Sequence, residues 1–236
     1  ATISDNCVDL ADLTITQSPV SGSLVPSSDG ATETVTITAN DGFGYSQSCS
    51  FGVVLSDNVA PVTLCQDYTL NLNALGTATL TTANIDNGSS DNCSTPTLSL
   101  SKTLFTCSDV GANTVTLTVP DNNGNSATCT ATVMVSDSTA PTASCQNITV
   151  YLNGSGNASI APADVNNGSV DACGLGTLSA MPSSFTCAHV GSNTVTLTVP
   201  DNNGNTSTCT ATVTVNDSTP PMASCQNITV PLYSVG

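Results

Sequence analysis

The chain has 236 residues, of which 17 are Asp or Glu, one is Lys or Arg and one is His, so its formal net charge is −16. Such a chain is unsuited to bind nucleic acid or an anionic membrane surface, because both partners require Lys and Arg. Acidity with few aromatic residues can also indicate disorder, but here only 8% of residues are charged and 39% are hydrophobic. The hydrophobic residues alternate with polar ones, which indicates folded β structure.

The eleven cysteines indicate an oxidising compartment. None belongs to the C-x-x-C pairs of metal sites, and at this density cysteines are typical of disulfides in a secreted protein. No segment has the zones of a signal peptide, and no apolar run is long enough to cross a bilayer. We therefore expect an extracellular segment without membrane insertion, either a mature protein or a portion of a longer chain.

Residues 1–56 are predicted to be a diverged or N-terminally truncated repeat, called the partial repeat below. Asp41 and Cys49 stand 80 positions before Asp121 and Cys129, which lie in the next segment. The local match of Asp5-Asn6-Cys7 is Asp91-Asn92-Cys93. The partial repeat has no counterpart of a first strand or of Cys107, and we expect Cys7 and Cys49 to pair with cysteines upstream.

Two complete repeats follow. Residues 57–136 (repeat 1) align with residues 137–216 (repeat 2) without a gap and with 44 identities in 80 positions. All cysteines of the two segments align, and the thirteen residues NTVTLTVPDNNGN occur in both. This periodicity predicts a tandem array rather than one large domain.

Repeat 1 is predicted to consist of short strands, at residues 68–72, 78–85, 97–101, 103–107, 113–119 and 127–135. We expect turns at Gly76 and in the PDNNGN hairpin, whose Gly-Asn supplies the positive φ of a tight turn. Val115, Leu117 and Val119 should face the core. Six or seven strands without a helical period predict an all-β fold of tandem immunoglobulin-like β-sandwich repeats of about 80 residues.

Disulfides are expected to stabilise each repeat, because so small a module without Trp buries little apolar area. The four cysteines of a repeat allow three connectivities. We favour Cys65–Cys129 with Cys93–Cys107 in repeat 1, and the equivalent Cys145–Cys209 with Cys173–Cys187 in repeat 2. On the loop-entropy model the longer loop contributes about 4 kcal/mol and the shorter about 3 kcal/mol.

Residues 217–236, the C-terminal segment, begin as the complete repeats do and should form the first strand of a further repeat. Cys225 would then pair downstream. The simplest interpretation is a piece of a longer array whose partners are the neighbouring repeats. The alternative is a homopolymer in which this strand completes the partial repeat of the next subunit, as in donor-strand assembly.

Acidic residues recur in register and are candidates for Ca²⁺ binding at the repeat junctions. Tracing the strands brings the linker, mid-repeat and hairpin aspartates to the same end of each repeat, with the hairpin asparagines beside them. The candidate ligands are Asp57, Asp91, Asp121, Asn123 and Asn125 at one junction, and Asp137, Asp171, Asp201, Asn203 and Asn205 at the next. Hard oxygen ligands suit Ca²⁺, although no bidentate Glu follows the D-x-N-x-N motif. The alternative is that these residues only build turns.

The unit starts DNVAPVTLC, DSTAPTASC and DSTPPMASC, the mid-unit SDNC and the unit end VGANTVTLTVPDNNGNSATCTATVMV resemble the hyalin-repeat (HYR) family. They are similar in particular to the repeat arrays of giant Bacteroidota surface adhesins, including gliding-motility adhesins. The resemblance implies an immunoglobulin-like fold, a cell-surface location and type IX secretion through a C-terminal sorting domain outside this sequence. It also makes Ser138 and Ser218, in Asp-Ser-Thr, candidate O-glycosylation sites, with an unmodified polar linker as the alternative.

The resulting expectation is a non-enzymatic extracellular spacer or stalk segment of a bacterial surface adhesin or surface fibre. One His, no phosphate-binding loop and no nucleophile motif argue against an enzyme. The alternatives are the strand-complemented filament subunit and a module that binds a surface glycan or a host protein directly. Phe105 and Phe185 recur in register and are expected in the core, whereas Tyr151 should lie on a strand surface.

Overall fold

The computed structural model describes residues 3–4, 6, 9, 12–23, 30–93 and 95–231. Its strands are β1 Thr14–Ser18, β2 Thr32–Asn40, β3 Ser46–Val54, β4 Tyr68–Asn71, β5 Thr77–Thr79, β6 Ser99–Leu100, β7 Leu104–Thr106, β8 Gly111–Pro120, β9 Ser126–Ser136, β10 Ile148–Tyr151, β11 Asn157–Ser159, β12 Ser179–Met181, β13 Ser184–Thr186, β14 Gly191–Pro200 and β15 Thr206–Asn216. The helices are α1 Thr82–Ile85 and α2 Pro162–Val165, with 3-10 turns at Cys107–Asp109 and Cys187–His189. No helix in the described residues is long and apolar enough to span a bilayer.

The chain forms two compact units. The first comprises Ala1–Leu70, Thr79–Phe105 and Gly111–Val135, and the second comprises Asn71–Ala78, Thr106–Val110 and Ser136–Gly236. The second unit therefore combines repeat 2 with two short segments of repeat 1, around Gly76 and Cys107. The repeat boundaries at residues 56, 136 and 216 stay a prediction.

Repeat 2 is a β-sandwich. One sheet has the order β10-β15-β14-β12 and the other pairs β11 with β13. β14 and β15 are antiparallel along their whole length, whereas β10 runs parallel to β15, with Ile148 opposite Val213. Between the sheets lies a core of Leu152, Ile160, Val165, Ala180, Phe185, Val195, Leu197, Val199, Ala211, Val213 and Val215. The alternation of Thr with these apolar residues in β14 places every second side chain in the core.

Repeat 1 has the same strand plan, with the sheet orders β4-β9-β8-β6 and β5-β7. Leu117 lies opposite Cys129 as Leu197 lies opposite Cys209. Val115, Leu117 and Val119 are 0% exposed, and the hairpin after β8 turns at Gly124 with a φ of 100°. The predicted all-β, immunoglobulin-like class is confirmed.

One predicted strand is only partly present. The pattern at 78–85 predicted a strand, but β5 ends at Thr79 and α1 occupies Thr82–Ile85. Asn84 Oδ1 accepts hydrogen bonds from the Thr81 backbone N–H (3.0 Å) and from Thr81 Oγ1 (2.7 Å), which favours a helical turn over an extended chain. Ile85 is completely buried in this turn, so it is a core residue, as the strand pattern indicated.

The disulfides confirm one predicted pairing and correct the other. Cys65–Cys129 and Cys145–Cys209 are present, each with a Cα–Cα distance of 5.9 Å. Cys107, however, bonds to Cys173, with a Cα–Cα distance of 5.1 Å, so the predicted Cys93–Cys107 and Cys173–Cys187 pairs are wrong.

Packing inside the second compact unit explains the correction. A Cβ built on Gly76 would lie 2.5 Å from Cys107 Sγ, 3.2 Å from Ala172 Cβ and 3.5 Å from Cys173 Sγ. The Gly76 turn, Cys107 and the segment at Ala172 therefore pack against one another, and Cys173 is the cysteine that this packing presents to Cys107. Cysteine pairing follows this proximity, which sequence spacing does not reveal.

The two ends of the described chain differ from the complete repeats. The partial repeat forms the sheet β1-β2-β3, in which Ile37 lies opposite Cys49. The strand predicted in the C-terminal segment does not form in residues 217–231, all of which are exposed and without regular structure. An isolated strand has no neighbour to accept and donate its backbone hydrogen bonds, which explains this outcome. Asp5, Cys7 and Tyr233 lie outside the described residues.

Candidate cation centres

The first candidate centre consists of Asp57, Asp91 and Asp121. One carboxylate oxygen from each residue lies within 4.8 Å of the other two. The three residues come from the start of repeat 1, the segment after α1 and the end of β8, and the strand tracing predicted that they meet. Asp57 is 9% and Asp121 7% exposed, so two of the carboxylates are largely withdrawn from water.

The β8–β9 hairpin fixes the Asp121 carboxylate. Its Oδ1 accepts the backbone N–H groups of Asn123 (2.9 Å) and Asn125 (2.8 Å), and the Asp121 N–H donates to the Asn125 carbonyl oxygen (3.0 Å). Gly124, at positive φ, allows the chain to close this turn. The hairpin sequence thereby holds one carboxylate in a defined orientation.

Asn123 and Asn125 donate hydrogen bonds in this arrangement. Asn123 Nδ2 donates to Asp57 Oδ2 (2.8 Å), and Asn125 Nδ2 donates to Asp121 Oδ2 (2.6 Å) and to the Asp57 carbonyl oxygen (3.2 Å). The sequence predicted amide oxygens as ligands, whereas here amide N–H groups face the carboxylates. Their role as oxygen ligands stays a prediction, and their N–H groups offset part of the negative charge of the carboxylates.

The same hydrogen bonds determine the ionisation of the hairpin aspartates. Burial by itself raises the pKa of Asp121, but hydrogen bonds from the Asn125 side chain and from the backbone N–H groups of Asn123, Asn125 and Gly124 outweigh it. The pKa of Asp121 therefore lies below its usual value, and the equivalent bonds lower the pKa of Asp201. Both carboxylates are charged at neutral pH.

The second candidate centre differs from the first. Oxygen atoms of Asp137 and Asp171 lie within 4.8 Å of each other and of Cys173 Sγ. That sulfur is bonded to Cys107, so it is no thiolate ligand. Asp201 is outside this group, although Asn205 Nδ2 connects its Oδ2 (2.7 Å) to the Asp137 carbonyl oxygen (3.2 Å). The Asn203 backbone N–H donates to Asp201 Oδ1 (2.8 Å).

Asp137 carries a buried acceptor without a partner. It is 7% exposed, its Oδ1 accepts the Thr139 N–H (3.0 Å), and its Oδ2 is fully buried with no hydrogen bond among the described residues. A buried carboxylate oxygen without a donor or a cation is costly. In repeat 1 the equivalent oxygen, Asp57 Oδ2, accepts Asn123 Nδ2.

The two centres fit a hard cation. The aspartates of both centres offer carboxylate oxygens, which are donors that Ca²⁺ prefers. Protein cations are scarce: the chain has one Lys and no Arg, and Lys102 Nζ lies 4.8 Å above the Phe105 ring. The buried aspartates therefore have few positive side chains available to them.

The remaining sequence-predicted residues are placed as follows. Ser138 and Ser218 are exposed, so their hydroxyl groups are accessible. Phe105 and Phe185 are 0% and 1% exposed and belong to the core, as predicted, and Tyr151 is 62% exposed. The sequence did not predict that the asparagine amides donate hydrogen bonds to the carboxylates. The Asn residues of D-x-N-x-N are compatible with that role and with the predicted role as oxygen ligands.

Comparison with known proteins gives only distant similarities. No family model matches the chain, and a search of curated proteins gives no match. Three immunoglobulin domains of titin are 12% identical, over 87% of this chain and 89% of that chain, with a TM-score of 0.40. Human mucin-like protocadherin is 14% identical, over 67% of this chain and 98% of that chain, with a TM-score of 0.36. The insect immune protein hemolin is 11% identical, over 86% of this chain and 68% of that chain, with a TM-score of 0.37. At such TM-scores no functional conclusion follows, and the fold assignment rests on the sheet topology.

Proposed function

We propose that the chain is an extracellular structural spacer, a stalk segment of a repetitive bacterial surface adhesin or surface fibre of the type its motifs resemble. The observation that carries this proposal is the set of covalent bonds along the array. Each complete repeat is closed by its own disulfide, and Cys107–Cys173 joins a residue of repeat 1 to a residue of repeat 2. The three disulfides among the described residues also support an oxidising, extracellular setting.

When the chain is pulled, the two closing disulfides bear the tension in place of the residues between the bonded cysteines. Cys65 and Cys129 are 64 residues apart, as are Cys145 and Cys209. Tension along the chain passes through each sulfur–sulfur bond, so the residues inside the loop bear no load and cannot extend. At about 3.5 Å per extended residue, each bond withholds roughly 220 Å of chain. This property suits a spacer that must keep its length.

Single-molecule force spectroscopy tests this proposal. When the full chain is pulled from its two ends under oxidising conditions, we expect no unfolding step of about 200 Å. After reduction, each complete repeat should give one such step. A variant with Cys65→Ser, Cys129→Ser and Cys107→Ser should give a single step without reductant, from repeat 1 alone, because it also removes the Cys107–Cys173 bond that would pass tension into repeat 2. Full-length steps in the oxidised wild type would refute the spacer mechanism.

We also propose that Ca²⁺ binds the two centres and stiffens the array by neutralising like charges. This is supported by Asp137 Oδ2, which is buried without a hydrogen-bond partner in the part of the chain that the structure describes, and by the three clustered carboxylates of repeat 1. Added Ca²⁺ should raise the melting temperature, and EDTA should lower it and make the array more flexible in small-angle X-ray scattering. The double variant Asp57→Asn with Asp137→Asn should lose the response, because it removes one carboxylate from each centre.

The matched control is Asp67→Asn. Asp67 is exposed and accepts the Thr132 N–H (2.7 Å), and repeat 2 already has Asn147 at this position, accepting the Thr212 N–H (2.7 Å). This variant changes the charge without touching a centre and should respond to Ca²⁺ as wild type does. An equal response in all three proteins, or none in any, would refute the calcium proposal.

Surface modification is a smaller part of the proposal. The exposed Ser138 and Ser218 support O-glycan attachment, which would further solvate the segments between repeats. Protein taken from the native surface should be heavier than the sequence mass, and Ser138→Ala with Ser218→Ala should remove the excess. An unchanged mass in the variant would refute this assignment.

A further inference from the structure

The sheet of the partial repeat ends in an open edge. β3 pairs with β2 from Thr32 opposite Val54 to Asn40 opposite Ser46, and in the described residues its other edge has no partner strand. The equivalent strands β9 and β15 are covered on that edge, by β4 and β10. β3 thus presents unpaired backbone N–H and C=O groups, which are a template for another strand.

The core face of β3 is also uncovered. Phe51 is 48% and Val53 39% exposed. Their equivalents in the complete repeats, which lie 80 and 160 positions later, are only 0–4% exposed: Ala131, Val133, Ala211 and Val213. Two positions that are core in both complete repeats are therefore open in the partial repeat.

The C-terminal segment contains the complementary strand sequence. Residues 223–230 read ASCQNITV, identical to residues 143–150, which include most of β10. β10 pairs in parallel with β15, the equivalent of β3. In the C-terminal segment the same apolar side chains are open to solvent: Ile228 is 81% and Val230 70% exposed, whereas Ile148 and Val150 are partly buried.

Two exposed thiols complete the correspondence. Cys49 and Cys225 are both free and exposed. Cys49 is the equivalent of Cys129 and Cys209, and Cys225 is the equivalent of Cys65 and Cys145. The equivalents are bonded to each other in both complete repeats, so Cys49 and Cys225 stand at the two positions that form this disulfide there.

We propose that residues 223–231 of one chain add to the open edge of β3 in a second copy, in parallel, and that Cys225 bonds to Cys49 of that copy. Translating the β10–β15 register places Ile228 opposite Val53 and Thr229 opposite Val54. The contact joins two different surfaces, so it repeats head to tail and builds an open filament. It goes beyond the spacer function, because it makes the chain a subunit that polymerises.

The covalent step needs an oxidant. Two thiols lose two protons and two electrons to form the sulfur–sulfur bond, and a low-molecular-weight disulfide accepts them as two thiols. A thiolate of Cys49 or Cys225 first attacks the small disulfide and releases one small thiol. The second cysteine then displaces the other small thiol. Oxidised glutathione supplies this chemistry in vitro.

Two variants separate the proposed bond from random oxidation. Both carry Cys187→Ser, which removes another exposed thiol, and each also carries either Cys49→Ser or Cys225→Ser. In a glutathione redox buffer, neither variant alone should form a disulfide-linked dimer, but their mixture should form dimers and nothing larger. The chain with only Cys187→Ser should form a ladder on a non-reducing gel. Uniform ¹⁵N labelling of one variant, followed by peptide mapping, should identify a Cys49–Cys225 bond between labelled and unlabelled chains.

Other results would overturn the proposal. The first is that each variant alone forms as much dimer as the mixture does. The second is a Cys49–Cys225 bond within one chain. The third is that both thiols can still be alkylated at high protein concentration. Mapping of Cys65–Cys129 and Cys145–Cys209 in the same samples shows whether the variants have folded. The force experiment on single chains does not depend on polymerisation, so the spacer proposal and this one can fail independently.

Variants in the strand test recognition without the disulfide. Ile228→Lys with Val230→Lys places charges on the side that should be buried against the partial repeat and should abolish the ladder. Thr229→Lys is the matched control, because its equivalent Thr149 is exposed in repeat 2, and it should leave the ladder intact. Equal ladders from both variants would show that the thiols react without strand addition and would refute the proposed register.

Discussion

Repeat 1 and repeat 2 differ most in the state of two equivalent cysteines. Cys107 Sγ lies 3.6 Å from the Gly76 carbonyl oxygen, and Cys187 Sγ lies 3.8 Å from that of Gly156, each at the start of a 3-10 turn. Cys107 is nevertheless in a disulfide, whereas Cys187 is an exposed thiol. Equal local structure with unequal bonding shows that the approach of Cys173, and not the sequence around Cys107, decides the pairing.

The candidate centres show a second difference between the repeats. Asn123 donates to Asp57 Oδ2 in repeat 1, while the equivalent Asp137 Oδ2 in repeat 2 is buried with no donor among the described residues. The hairpin sequence PDNNGN is the same in both repeats. Identical hairpins can therefore form different hydrogen bonds with the aspartate at the start of their repeat. A bound cation should stabilise repeat 2 more than repeat 1.

The largest expected effect tests what the repeats share. Removing the closing disulfide with Cys65→Ser and Cys129→Ser should destabilise repeat 1 by about 4 kcal/mol, because a loop of this length regains its entropy in the unfolded state. Cys145→Ser with Cys209→Ser should cost repeat 2 the same amount. Urea unfolding at neutral pH measures both, with Cys187→Ser as the neutral control. A repeat that kept its midpoint would show that packing alone holds it.

The next effect should differ between the repeats. Gly76 and Gly156 both have positive φ, and a Cβ would lie 2.5 Å from Cys107 Sγ or 2.7 Å from Cys187 Sγ. Gly76→Ala should cost about 3 kcal/mol, since the bonded sulfur cannot move away, and Gly156→Ala about 1–2 kcal/mol, since a thiol can rotate. Urea unfolding of the two variants measures the difference. Equal losses would contradict the role given to the Cys107–Cys173 bond.

Acid should act on both repeats through the same hairpin aspartate. The pKa values of Asp121 and Asp201 are lowered in the folded state, so the stability they contribute is complete above the ordinary Asp value of 3.8. It is lost as the pH falls below that value towards the folded pKa. Melting temperature measured without Ca²⁺ from pH 6 to pH 2 should fall in this window. The double variant Asp121→Asn with Asp201→Asn should give a flatter profile, and an unchanged slope would contradict this assignment.

The smallest effect concerns the 3-10 turns. Asp109 Oδ2 accepts the Thr106 N–H (2.9 Å), and His189 Nδ1 accepts the Thr186 N–H (2.9 Å), so different residues perform one capping role. Asp109→Ala and His189→Ala should each cost about 1 kcal/mol. His189→Asp should be close to neutral, because it installs the cap of repeat 1. A large loss in His189→Asp, measured by urea unfolding, would show that the imidazole has another function.

The sequence predicted the features that depend on pattern and repetition. The alternation around Val115 and the Gly-Asn of the hairpin were sufficient to assign strands, turn and core face, because side-chain direction in a strand has a fixed period. The meeting of Asp57, Asp91 and Asp121 followed from strand order alone. The strand at 78–85 was partly wrong, since the Thr81–Asn84 hydrogen bonds compete locally with extension.

The sequence by itself determined the all-β fold and the 80-residue period, because both follow from the periodicity of the side chains and of the repeats. It favoured the pairing of each repeat's first and last cysteines over two other connectivities, and the structure confirmed that pairing. The tertiary structure alone decided that Cys107 bonds Cys173 and that Asp137 keeps an oxygen without a hydrogen-bond partner among the described residues. Each of these depends on which surfaces approach one another in space. Distances between residues far apart in the chain are set by packing, and one sequence pattern is compatible with several of them.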